Sequence, residues 1–483
     1  MSDVDRLGGP MNDPTAIAMA ARGWRPGWTR ALWVLGPGLM VMLADTDAGS
    51  VVTAAQSGAS WGYRLLPLEL VLIPVLYLVM ELTVRLGITT GKGHAEAIRD
   101  RFGTRWAALS VGTLLLSATG ALITEFAGIA GVGELVGLAP AVTVPLAAAF
   151  LIAIVLCRGY RRVELIGLTL GMFEVAFVLA AVLARPKVGA IADSLWTHQP
   201  VTDHGYLALV AANVGAVVMP WMIFCQQGAV VDKGLRARHI RLARLDTALG
   251  AVLTQLIMAA VLIVTAATLS GHGAGRLTSV GEISTALTPY LGAFASRLTF
   301  ALGIAGAALL ASIVVSLAAA WAVAEAFGAR RSLNDGVRGA PLFYGLYLTC
   351  IAVGAGMVLA SNSLIRLAID VEILNALLLP LVVGLLLALA WTTLPHPHRL
   401  RRGERVVLAA VLGTLTLVGL GWATVTVLPG SPQTACCAAR QSMSTESARA
   451  RRGARIGAPR SSRLVSRPPS GVLFGSALGL GGS

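Results

Sequence analysis

The feature that most limits what this chain can become is the recurrence of apolar runs of roughly 20 residues, separated by short polar stretches. A helical run of that length matches the hydrocarbon thickness of a bilayer, whereas the strands of an outer-membrane barrel are short and alternating. Of the 483 residues, 56% are hydrophobic and 13% charged, too apolar a balance for a soluble domain with one core. The sequence therefore predicts an all-α, polytopic membrane protein with the lipid bilayer as its first partner.

Eleven spans are expected, at about residues 31–55, 65–86, 107–133, 142–157, 163–184, 206–230, 247–269, 296–327, 342–360, 364–391 and 406–428. Residues 1–30 read as a polar arm, with Trp24 and Trp28 marking the approach to the interface. Residues 31–428 form the transmembrane domain, and 429–483 read as a disordered basic tail without apolar periodicity. The net charge of +14 does not imply a nucleic-acid partner, because the basic residues collect in alternate loops. With the N-terminus inside, a direct count gives about 23 Lys and Arg in inner segments and about 4 in outer loops. That asymmetry predicts a cytoplasmic N-terminus in a cell inner membrane. The tail carries 8 Arg on the opposite side, which fits the rule poorly. The N-terminus lacks a short apolar core with a cleavage site, so no removable signal peptide is expected. Cys157, Cys225 and Cys350 read as small packing residues, and no metal-type cysteine spacing occurs.

Within the first span, Gly36-Pro37-Gly38 is followed by Asp45 and Asp47, two acids in the middle of an apolar run. A carboxylate at that depth costs on the order of 3 kcal/mol, so it is kept where it faces a cavity, a partner or an ion. Thr46, Gly49 and Ser50 are poor helix material, and an unwound stretch there turns backbone carbonyls toward the same guest. A second break lies in Ala216-Val217-Val218-Met219-Pro220-Trp221, where the proline removes a donor and frees carbonyls. Two interrupted helices at corresponding places in two halves point to a secondary transporter with its site at the midplane.

These residues resemble the Nramp family of divalent-metal transporters. The resemblance rests on Gly-Pro-Gly followed by Asp47-Ala48-Gly49-Ser50, where the family reads Asp-Pro-Gly-Asn. Ser57-Gly58-Ala59, Trp61-Gly62-Tyr63 and Arg85-Leu86-Gly87-Ile88-Thr89-Thr90-Gly91 continue it, and Met219-Pro220-Trp221 looks like the family's Met-Pro-His. It implies a LeuT-like fold of two inverted five-helix repeats plus an eleventh helix, working by alternating access. It also implies a site in which Asp47 holds the aspartate position, Met219 the methionine position, and Ala44 and Ala216 supply carbonyls.

The departures shift the expected chemistry. Ser50 replaces an asparagine, Asp45 is an additional acid, and Glu372 stands where the family has a glutamine. Such a site is harder and more oxygen-dominated, which suits magnesium with most of its waters, and Met219 is given a lining role. Trp221 and Gln226 stand at the family's histidine positions, and its acid pair on the third helix maps onto Glu125 and Gly128. All seven histidines fall in expected loops, so proton coupling is expected to be weak or absent. Glu69, Glu81, Glu164, Glu174 and Glu325 sit toward helix ends and are expected to pair with basic loop residues or water. Arg366 is an expected partner for Asp370 and Glu372.

The resulting expectation is an importer of Mg2+, and of Mn2+ as well, with the ion as cargo and no cofactor. The competing readings are a proton-coupled Mn2+ or Fe2+ importer, a sodium-coupled amino-acid carrier on the same fold, and a membrane sensor. No nucleophile and base pair or phosphate-binding loop supports an enzyme.

Overall fold

The structure, a computed structural model, describes residues 36–427 apart from 158, 197–198, 271–276, 278–279, 286–287, 330–332, 334–335 and 361–363. The arm at 1–30, the tail at 429–483 and the side chain of Arg366 lie outside the described residues. Everything described is helix, turn or loop, with no strand among the described residues.

The chain opens with α1 (Pro37–Leu43), a two-turn piece that Pro37 starts with its φ already set and no donor to lose. Its first turn is capped from far along the chain. Asp246 accepts from the backbone N–H groups of Gly36, Gly38 and Leu39 at 3.1, 2.7 and 3.3 Å. A carboxylate at a helix N-terminus satisfies orphan donors and complements the dipole. After Leu43 the helix stops, and α2 (Ala48–Trp61) begins with Asp47 as its cap. Gly62, at φ 61°, turns α2 through a short 3₁₀ segment into α3 (Leu66–Thr90).

A small amphipathic helix, α4 (His94–Phe102), precedes α5 (Thr104–Leu135) and α6 (Pro140–Leu156). The fifth expected span is not one helix. It is α7 (Tyr160–Gly171) and α8 (Val175–Leu183), joined by a 3₁₀ turn at Met172–Glu174. After α9 (Val188–Trp196), the second half repeats the opening with α10 (His204–Val217) and α11 (Pro220–Asp232), broken at Val218 and Met219. Then come α12 (Ile240–Thr268), α13 (Val280–Thr285), α14 (Thr288–Phe327), α15 (Gly336–Gly339), α16 (Pro341–Leu359), α17 (Leu364–Thr393) and α18 (Arg402–Val427).

Each expected span is met by a helix or a broken pair whose ends differ by a few residues. Among the described residues, eight helices or helix runs are long and apolar enough to cross a bilayer, and α6 is a shorter apolar helix. The packing is by small residues. Ala307, Ala308, Ala311, Ala318, Ala319 and Ala320 are buried along α14, which lies closely on α5. Large apolar side chains such as Leu146, Leu179, Val182 and Leu298 point outward, as a lipid-facing surface requires.

Two expected pairings are corrected. Glu69 is fully buried and neither of its carboxyl oxygens has a partner, and Glu174 is buried beneath the first break, accepting from Thr46. Both positions look terminal in sequence, yet both side chains are fully buried. Of the other three, Glu81 and Glu164 meet basic residues as expected, and Glu325 meets backbone N–H groups at the start of α4. Glu81 pairs with Arg85 at 2.7 Å and Arg244 at 2.6 Å, Glu164 pairs with Lys233 at 2.7 Å, and Glu325 accepts from Ala95 N–H at 3.1 Å. The histidines need a similar amendment. His94 is a buried residue opening α4, with Nδ1 2.8 Å from Gln227 Oε1, and His204 opens α10 rather than lying in a loop.

Candidate metal site

At the two breaks the Ala44 and Ala216 carbonyls, which the family resemblance implies for the site, lose their in-helix partners, each for a distinct reason. Ala216 would bond four residues on to Pro220, which has no N–H to give. Ala44 would bond to Ala48, whose N–H instead goes to Glu125 Oε2 at 3.2 Å. The breaks are tied to each other by Ser50, whose hydroxyl donates to the Ala216 carbonyl at 3.3 Å. Ser50 N–H in turn donates to Asp47 Oδ1 at 2.7 Å, which fixes the aspartate as the cap of α2 and leaves Oδ2 without a partner.

Glu125 on α5 and Glu372 on α17 close the site from two sides. Glu372 Oε2 accepts from Asn375 Nδ2 at 3.0 Å, Asn375 Oδ1 accepts from Ser117 at 2.6 Å, and Glu372 Oε1 is left unpartnered. The expected partnership with Arg366 falls on a side chain outside the described residues. Gly49 makes the approach possible: a Cβ there would lie 2.5 Å from Glu372 Oε1, 3.2 Å from Thr124 Oγ1 and 3.4 Å from Asp47 Oδ1. The Asp47 and Glu125 side chains face one another.

Asp45 lies just before the cap with Oδ1 unpartnered, within electrostatic reach of Asp47, Glu69, Glu174 and Glu372. Six carboxyls, Asp45, Asp47, Glu69, Glu125, Glu174 and Glu372, are thus at most 2% exposed. None forms a salt bridge among the described residues. No three His, Cys, Asp or Glu side chains among the described residues converge closely enough to hold an ion by themselves. A cation here would meet at most two carboxylates, with hydroxyl, carbonyls and water completing its shell.

The remaining expected site residues separate. Met219 caps α11 from its N-terminal side and is fully buried; its sulfur accepts from Trp221 Nε1–H at 3.1 Å. Gln226 sits further along α11 and donates to Thr247 on α12 at 3.0 Å. Gly128 packs against Ala48, where a Cβ would be 2.6 Å from the alanine methyl, so no acid fits at that place. Thr46, Thr124, Gly49, Asn375 and Glu174 were not singled out as site residues. For Glu174, an acid in an apolar span was the available signal.

Known proteins give the same outline. The family model described as "Natural resistance-associated macrophage protein-like", Nramp, matches residues 38–425. A divalent metal cation transporter MntH of Acidiphilium cryptum is 31% identical over 337 residues, 66% of this chain and 75% of that protein. Among solved structures, a manganese transporter of Eremococcus coleocola superposes with a TM-score of 0.71 at 18% identity, covering 88% of this chain and 93% of the other. A nucleobase-cation-symport-1 family transporter superposes with a TM-score of 0.54 at 14% identity, covering 82% and 91%. The expected LeuT-like architecture, two inverted five-helix repeats with an eleventh helix, is the fold these structures share with the chain.

Proposed function

The chain belongs to the Nramp family of divalent metal transporters, and from that premise we propose that it imports Mg2+, and Mn2+ as well, with weak or no proton coupling. The observation that carries this reading is the buried set of carboxyls around the first break, none of which forms a salt bridge among the described residues. Uncompensated charge in a low-dielectric interior demands a proton or a positive guest. Magnesium is held through one or two carboxylates and keeps several waters, which suits a site where no three acids converge. Asp47 Oδ2 is the primary contact, directly or through a water. Ser50 and the Ala44 and Ala216 carbonyls accept from the ion's waters, and Asp45 and Glu372 add negative potential.

Proton coupling has little to work with at the second break, where Trp221 and Gln226 carry no titrating group. An inward-negative potential is worth about 2.3 kcal/mol per charge per 100 mV, which drives a divalent cation inward without protons. In this reading α1 lies toward the cytoplasm.

The second reading, proton-coupled Mn2+ import, draws on the Met219 sulfur at the break and on Glu125 beside Asp47. Flux into liposomes separates the two. Mg2+ entry without internal acidification supports the proposal, and Mn2+ entry with proton entry and no Mg2+ flux replaces it with the second reading.

A further inference from the structure

Met219 is the residue that fits an oxygen-dominated site least. Its sulfur nonetheless stands at the second break, and a thioether there would be expected to favour a soft ion. What the sulfur is doing resolves the conflict. Its nearest donor is the Trp221 indole N–H, at 3.1 Å, and both residues are fully buried.

We propose that Trp221 is a selectivity-positioning residue, whose N–H holds the Met219 sulfur in a hydrogen bond and so withdraws it from metal binding. The inference rests on the reading of the two breaks as the ion site.

The local geometry makes this contact hard to give up. Pro220 separates the two residues with its φ fixed, which lets the first turn of α11 fold the indole back over the cap residue. The Met219 backbone is held too, its N–H reaching Met222 Sδ at 3.5 Å. An indole has one donor and no acceptor, and in a fully buried setting that donor finds no water. An ion that recruits the sulfur therefore leaves a buried N–H without a partner, a penalty equivalent to about tenfold or more in affinity. A hard ion that ignores sulfur pays nothing. The bond thus lowers affinity for soft ions selectively, while leaving the oxygen ligands around Asp47 untouched.

The test compares binding of Cd2+, a soft probe, with Mg2+ by calorimetry on purified full-length protein. Trp221→Phe removes the donor. Replacing Trp221 with its benzothiophene analogue removes the donor and keeps the shape, which guards against loss of packing. The expected result is Cd2+ binding tightened about tenfold in both variants, with Mg2+ binding changed less than about twofold. The Cd2+ gain should vanish when either change is made in a Met219→Ala background. Equal shifts for both ions, no Cd2+ gain, or the same gain without Met219 would each overturn the inference. Wild-type protein that binds neither ion would overturn the reading of the site along with it, whereas wild-type binding without a Met219-dependent change would remove this inference alone.

Discussion

The Ser50 hydroxyl donates to the Ala216 carbonyl across 3.3 Å, so the first broken helix is bonded directly to the second at the point where both expose backbone oxygen. That bond places Asp47, three residues before Ser50 and capping the same helix, opposite the carbonyl that Pro220 leaves free.

Asp47 has one oxygen in the cap of α2, and its side chain faces Glu125. Asp47→Asn keeps an acceptor for Ser50 N–H but removes the charge. Uptake is expected to fall by about thirtyfold or more, the equivalent of losing a charge-assisted contact. Membrane insertion and expression should be unchanged, and retained uptake in liposomes would remove Asp47 from the mechanism.

Gly49 is required by space rather than by backbone angle. Gly49→Ala pushes against Glu372 Oε1 and Thr124 Oγ1. The flexible carboxyl yields, so stability should drop by only about 1 kcal/mol while ion affinity weakens about tenfold. Alanine at Gly112, inside α5 with nothing within 4 Å, is the control: stability should rise by up to about 1 kcal/mol and ion affinity stay unchanged.

Asp246 holds three N–H groups of the first turn of α1. Asp246→Ala should cost about 1–2 kcal/mol, the usual loss of a helix cap. Amide exchange over residues 36–43 should quicken while exchange in α14 stays slow. Unchanged exchange in α1 would show that the cap does not hold this piece.

Burial pushes the His94 imidazole down from its ordinary 6.5 to about 4, against the opposing effect of the hydrogen bond its Nδ1–H donates to Gln227 Oε1. The unfolded chain then binds a proton near pH 6.5 that the folded chain refuses until about pH 4. Stability from the neutral ring is complete above pH 6.5 and is lost as the pH falls toward 4, by up to about 3 kcal/mol. His94→Gln, which keeps a donor for Gln227, should flatten thermal unfolding across that window relative to wild type.

The sequence carried those parts of the site that are local in the chain. An aspartate pair in an apolar run and a proline in mid-span identify both breaks without any tertiary knowledge, because each is a violation of ordinary helix chemistry. What could not be read is what arrives from elsewhere. Asp246 reaches α1 across more than two hundred residues, Glu174 meets Thr46 only because the fifth span kinks through a 3₁₀ turn, and Glu372 turns to Asn375. Glu69 and Glu174 went to the wrong class for the same reason: position near a helix end predicts solvent only when nothing packs over that end. Nor does the family position of Gln226 reveal that Thr247 lies within its reach.

The central claim is that the two breaks jointly hold a divalent cation by oxygen. Anomalous scattering from crystals soaked in Mn2+, repeated in excess Mg2+, addresses it most directly. A single peak beside Asp47 Oδ2 and the Ala216 carbonyl, lost when Mg2+ competes, is the predicted result. A peak elsewhere, or none between Asp47 and Ala216, would contradict it.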